Sequence, residues 1–279
     1  MTIEALTWIT PAGASLSWPT QLLRGMAGRG LPPIEIITRQ VPQRAGSVRV
    51  AARHLERTVQ IPLLLDGNVT AHRTLLRTWA AALDCLDGPG ILRFDLVDGS
   101  QREIEASFAG GLELEEQYGW MTLADLTFRC HDPYWCDVSD TVVSVSGGAP
   151  VATFFPFFPL VLTSSSIAAE TVIDNTGDVE AWPIISVDGP ATDCVVENIT
   201  TGHTLALTGA VLAGQSVTLD SRPGRKTVLR QDGASLYSSL TSTEWFPLAK
   251  GDNRIRLSAA GTTVATVLSV RYRRRWLTV

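Results

Sequence analysis

Lysine is nearly missing from this chain: of 23 basic residues, only Lys226 and Lys250 are not arginine. That bias fits a GC-rich coding background, although arginine also suits desolvated interfaces because its planar fork satisfies several acceptors at once. Cysteine is scarce too. Cys85, Cys130, Cys136 and Cys194 are too few for a disulfide scaffold of 279 residues, so free and mostly buried thiols are expected. Charged residues reach only 18%, against roughly 25% in soluble globular proteins, a surface that accommodates partners. The net charge of -5 argues against a protein whose main work is gripping phosphates, and no direct nucleic-acid binding is expected. Long apolar runs are lacking as well. The longest, Phe154 to Leu162, holds two prolines and falls short of the roughly 20 residues of a membrane helix. The first residues, MTIEALTWITPAGASLSWP, show neither a basic start nor a continuous apolar segment, so synthesis in a cytoplasm without secretion is expected.

What is present is mostly strand pattern. Alternation marks strands at Ile34 to Thr38, Arg57 to Leu65, Ile91 to Val97, Arg102 to Phe108 and Met121 to Phe128. Asp98-Gly99 predicts a tight hairpin turn between two of them. The period changes once, where Val69, Leu75, Leu76, Trp79, Leu83 and Leu86 stripe one helical face, with Asn68 or Thr70 as the cap and Gly88-Pro89-Gly90 as the stop. Past Gly148 the texture becomes short strands separated by turn signals such as Asn175-Thr176-Gly177, Asp188-Gly189-Pro190, Asp232-Gly233 and Gly251-Asp252-Asn253, the spacing of a β-sandwich. The fold class is therefore mainly β: an α+β domain over 1–148 with one long helix packed on antiparallel strands, then a sandwich over 149–279.

The densest cluster of chemically versatile residues is TFRCHDPYWCDVSD, Thr127 to Asp140. A metal reading would use Cys130, His131, Asp132 and Cys136. Five residues separate the two cysteines, no second ligand pair exists elsewhere, and strand alternation sends Cys130 and His131 to opposite faces. The same objection meets a Cys130–His131 nucleophile. Asp132-Pro133 instead starts a turn, so Asp132, Pro133, Tyr134 and Trp135 are expected to form the corner that ends the first domain. No catalytic residue, cofactor or metal is expected. Glycines 25, 28 and 30 lack a phosphate-loop ending and read as a turned loop. Between Arg39 and Arg57, five arginines (Arg39, Arg44, Arg49, Arg53 and Arg57) mark a segment poor in apolar residues until Val48 and without aromatics to stack bases. We read it as an arm whose arginines meet the carboxylates of a neighbouring subunit. The C-terminal VLSVRYRRRWLTV alternates as a last strand, with Arg271, Arg273 and Arg275 on one face.

The order GRGLPPIEI (28–36), RTVQIPLLLDG (57–67), GPGILRFDL (88–96), LTFRCHDPYW (126–135), DNTGDVEAWPIISVDG (174–189), ENITTGHTL (197–205), VTLDSRPGRKTVLRQDG (217–233) and WFPLAKGDN (245–253) resembles the distal tail protein family of phages with long non-contractile tails. The resemblance implies a structural virion protein at the distal end of the tail. Its N-terminal domains would close a ring, commonly hexameric, that joins the tail tube to the tail-tip hub, and its C-terminal domain would be a galectin-like sandwich. The implied partners are further copies of the chain, the major tube protein and the tip hub, with no membrane. A ring-closing belt fits the arm. A rival reading makes the C-terminal sandwich a host-wall carbohydrate binder acting through Trp182 or Trp245. No insertion adds a carbohydrate-binding module, and a galectin-like fold does not itself confer sugar binding.

Overall fold

The computed structural model describes residues 4–19, 25–43, 45–66, 68–112, 121–147 and 167–279. The chain forms two compact units, Met1–Val138 together with Trp276–Val279, and Ser139–Arg275.

The first unit contains β1 (Ala5–Ile9), β2 (Ser15–Ser17), β3 (Ile34–Gln40), β4 (Ser47–His54), β5 (Arg57–Asp66), α1 (Val69–Leu83), β6 (Gly90–Asp95), β7 (Gln101–Gly110), β8 (Met121–Cys130) and β9 (Trp135–Asp137). Its main sheet runs β2-β1-β6-β7-β8-β5, all antiparallel, with β9 pairing to β7 at Arg102 and Glu103. Strict alternation along β5 turns Val59, Ile61, Leu63 and Leu65 inward, and Thr58, Gln60 and Asp66 outward. The helix lies over the inner side. Asn68 caps it by accepting the Ala71 amide at 2.9 Å, and Trp79, Ala82 and Leu83 are buried. Trp8 fixes its last turn by donating from Nε1 to the Ala82 carbonyl at 2.6 Å, and Trp18 meets Trp79 edge-on at 4.9 Å.

Two local expectations needed correction. The helix stops at Leu83 and leaves Leu86 exposed, because the Asp84 carboxylate accepts the Leu86 amide and offers the backbone an alternative to another helical turn. The β6–β7 hairpin forms, but of its turn residues only Gly99 takes a positive φ. The Leu96 carbonyl accepts from Gly99 and the Leu96 amide donates to Ser100, which makes a three-residue loop rather than a two-residue one.

The second unit contains β10 (Thr141–Ser146), β11 (Ile167–Asn175), β12 (Ile184–Asp188), β13 (Ala191–Asn198), β14 (His203–Val211), β15 (Ser216–Asp220), β16 (Thr227–Arg230), β17 (Leu240–Thr243), β18 (Gly251–Ala260) and β19 (Val267–Tyr272). Two five-stranded sheets, β10-β19-β12-β15-β16 and β11-β18-β13-β14-β17, enclose one core that includes Ile185, Leu219, Val270, Val196, Ile255 and Leu257. β10 pairs along its whole length with β19, so the units divide at Val138, earlier than the change of texture near Gly148.

Three fully buried asparagines hold the turns of this sandwich. Asn253 donates to the carbonyls of Ala249 and Gly251 and accepts from the Ala249 amide and from Asn198 Nδ2. Asn175 donates to Val179 and Leu248 and accepts from the Gly177 amide. Alternation along β19 ends at Tyr272. Arg275 is buried, donating to the Glu180 carbonyl, and Trp276–Val279 belong to the first unit.

Candidate subunit-interface site

Among the described residues, β3 and β4 pair only with each other, forming a ribbon separate from the main sheet. Residues directly opposite in an antiparallel pair share a face, so the register assigns the side chains. One face carries Ile34 with His54, Ile36 with Ala52, and Thr38 with Arg49; the other carries Glu35 with Arg53, Ile37 with Ala51, and Arg39 with Val48. The register shifts by one residue at Val50. Ile34, Ile36, Ile37, Val48 and Val50 are all exposed, Ile36 at 57% and Val50 at 64%. A lone two-stranded hairpin is marginally stable in water, and apolar residues on both of its faces gain nothing until something covers them.

Of the arginines assigned to the arm, Arg39, Arg49 and Arg53 lie on the ribbon and are exposed; Arg44 lies outside the described residues. Arg53 pairs with Glu35 at 2.6 Å across the strands. Such a pair in solvent contributes about 0 to 1 kcal/mol, so a partner could displace it at little cost. Arg39 and Arg49 have no acidic partner among the described residues.

Arg57 has a different place. It opens β5 and is 1% exposed, donating from Nε to the Pro133 carbonyl (2.7 Å), from Nη1 to Gly28 and Gly30 (2.5 and 2.6 Å), and from Nη2 to Leu277 (2.7 Å). Its guanidinium lies over Trp135 at 5.5 Å. Burial pulls its pKa down, and the neighbouring Cys130 acts in the opposite direction. The glycine-rich loop thus supplies carbonyl acceptors for one arginine. Gly28 takes φ +90° and runs so close to β5 that a Cβ would come 2.3 Å from the Thr58 carbonyl. Nothing in the local pattern of Gly28 to Gly30, or of Arg57 at the head of β5, announces a guanidinium aimed inward.

Asp132, Pro133, Tyr134 and Trp135 follow β8 as a turn. Asp132 accepts the Tyr134 amide at 3.4 Å, Trp135 is buried edge-on to Phe94 at 5.3 Å, and Tyr134 Oη lies 2.7 Å from His54 Nδ1, which ties the corner to the root of the ribbon. The ligand-type residues do not converge. Cys130 is buried, and desolvation pushes its thiol up to about 12; His131 is exposed and lies 3.5 Å from Glu56. Cys136 Sγ lies 3.9 Å from the Tyr134 carbonyl. Among the described residues no group of three or more His, Cys, Asp or Glu is placed to hold a metal.

Residues 176–276 match the model of the siphovirus-type tail component, C-terminal domain. That segment, rather than the whole chain, is what is similar to the tail-component family. Over its full length the fold is similar to that of the Dit protein of phage SPP1, described as a paradigm of the hub adsorption apparatus in phages infecting Gram-positive bacteria. The TM-score is 0.70 at 15% identity, covering 98% of this chain and 99% of that one. A chain of the phage P2 baseplate in its activated conformation with calcium follows, with a TM-score of 0.58 at 10% identity over 100% of both chains. At such identities the likeness is one of fold. No curated protein matches the chain in sequence. The ribbon and the corner belong to the N-terminal unit, outside the matched segment.

Proposed function

We propose that this tail component is a non-enzymatic building block of the distal end of a phage tail, where its N-terminal units close a ring, six copies in the reading given by the family resemblance. The ring would join the major tube protein on one side to the tip hub on the other. The observation that carries this reading is the β3–β4 ribbon, apolar on both faces and exposed among the described residues of its unit. A head-to-tail contact through such an arm is heterologous, and heterologous contacts close rings when the rotation permits. The exposed Arg39, Arg49 and Arg53 add a charged fringe that suits the polar rim of an interface. Static light scattering and negative-stain imaging of the purified chain test the reading: closed rings are the expected result, and a chain that remains monomeric at its highest soluble concentration contradicts it.

A second reading has one observation in its favour. In the C-terminal, galectin-like unit, the exposed Tyr237 stacks on Trp245 with ring centroids 6.4 Å apart, and aromatic faces are the usual platforms for pyranose rings. Saturable binding of host-wall glycans by the full chain, lost in Tyr237→Ala, would support it.

A further inference from the structure

The ring reading does not say which surface of the next copy receives the arm. Resting on that reading, we propose that the acceptor is the outer face of the β5–β8 pair in a second copy of this chain, with Ile36 seated on Leu64 and Leu123 and Arg49 facing Asp125. Leu64 and Leu123 are cross-strand partners, so they share this face, and Leu123 is 57% exposed. Two residues along the strands, on the same face, the next row is Pro62 and Asp125; two residues the other way stands Asp66. Both aspartates are exposed and have no cationic partner among the described residues.

The arm repeats that spacing with opposite charge. Its Ile36/Ala52 row is followed two residues on by the Thr38/Arg49 row. At 3.2 to 3.4 Å per residue, both surfaces separate an apolar row from a charged one by about 7 Å, so one docking position satisfies both contacts. Of the other exposed apolar side chains on strand faces outside the arm, Leu229 adjoins the Thr227/Asp220 row, but Arg222 already holds that aspartate at 2.6 Å, and the remaining two face arginine. Val142 has Arg271 directly across from it and Val172 has Arg254, and either would set arginine against Arg49. Arg129, the one arginine on the β5–β8 outer face, is held by Glu56 at 3.4 Å. Complementary charge fixes register and suppresses wrong docking, which a ring of identical copies requires.

The test is charge reversal in the full-length chain, read by light scattering. Arg49→Glu and Asp125→Arg are each expected to weaken association at least about tenfold, since like charges face to face are costly, and the double variant is expected to recover most of the loss. All these side chains are exposed, so unchanged thermal melts would establish that the monomer fold is intact. If Asp125→Arg and Asp66→Arg assemble like the parent while Ile36→Asp does not, the acceptor face is wrong and the ring reading stands. A double variant no better than either single one also overturns the pairing. If Ile36→Asp assembles normally, arm and acceptor both fall.

Discussion

Arg57 donates through Nη2 to the carbonyl of Leu277 at 2.7 Å, joining positions 220 residues apart. The same guanidinium satisfies the carbonyls of Gly28, Gly30 and Pro133, so one side chain closes a loop, a corner and the returning end of the chain. Replacing it strands buried acceptors. Arg57→Met is expected to lower the stability of the first unit by about 2 to 4 kcal/mol in denaturant unfolding. Arg57→Lys should recover little, since a point charge cannot span four carbonyls. Equal midpoints for the parent and Arg57→Lys would show the fork to be dispensable.

Tyr134 Oη and His54 Nδ1, 2.7 Å apart, link the corner to the foot of the ribbon. Tyr134→Phe keeps the ring and removes the hydroxyl. The expected cost is modest, about 1 kcal/mol, and local: faster hydrogen exchange over residues 47–54 with little change in β5. Uniform acceleration across the first unit would mean that Tyr134 supports the core instead.

Cys130 gives a pH prediction with a definite sign. Its pKa rises from 9.0 to about 12 because burial penalises the thiolate, so the folded state holds this proton more tightly than the unfolded chain does. Its contribution is therefore full below about pH 9 and is lost as pH climbs toward 12, at up to about 1.4 kcal/mol per pH unit. Cys130→Ala should flatten that decline in unfolding midpoints measured from pH 8 to pH 11. At pH 8, a thiol reagent should label Cys85 and Cys136, both partly exposed, well before Cys130.

Asn253 makes four hydrogen bonds with its side-chain amide, two donated and two accepted. Asn253→Ala should destabilise the sandwich by about 2 to 4 kcal/mol and shift its melting transition while leaving the first unit's transition in place. Asn253→Asp, which can accept but not donate, should cost nearly as much.

Strand periods were readable because burial on one face imposes them: β5, β6, β7 and β8 fall where alternation marked them. The ribbon was legible as an arm, but through its arginines. Its apolar residues made Ile34 to Thr38 look like any half-buried strand, and only tertiary placement shows that, among the described residues, both faces stay exposed. Arg57 was grouped with the arm for its spacing, and burial separates it. The asparagine turns were visible as motifs in Asn175-Thr176-Gly177 and Gly251-Asp252-Asn253, yet their partners at Leu248 and Asn198 are far away in sequence and no local rule supplies them. Cys130, His131, Asp132 and Cys136 looked promising by composition and are dispersed by pleat and turn.

The fourteen-residue corner stretch leads out of the first unit, but the chain has not finished with that unit there. Trp276 returns to donate from Nε1 to Asp137 at 2.9 Å beneath the guanidinium of Arg102, 4.4 Å from its ring, and the Val279 amide donates to the Arg29 carbonyl. A nascent chain halted at residue 275 would contain every strand from β1 to β9 and still leave Arg57 one acceptor short. The unit that is translated first is thus the last to be completed, and fragments ending before Trp276 should be the ones that proteases find.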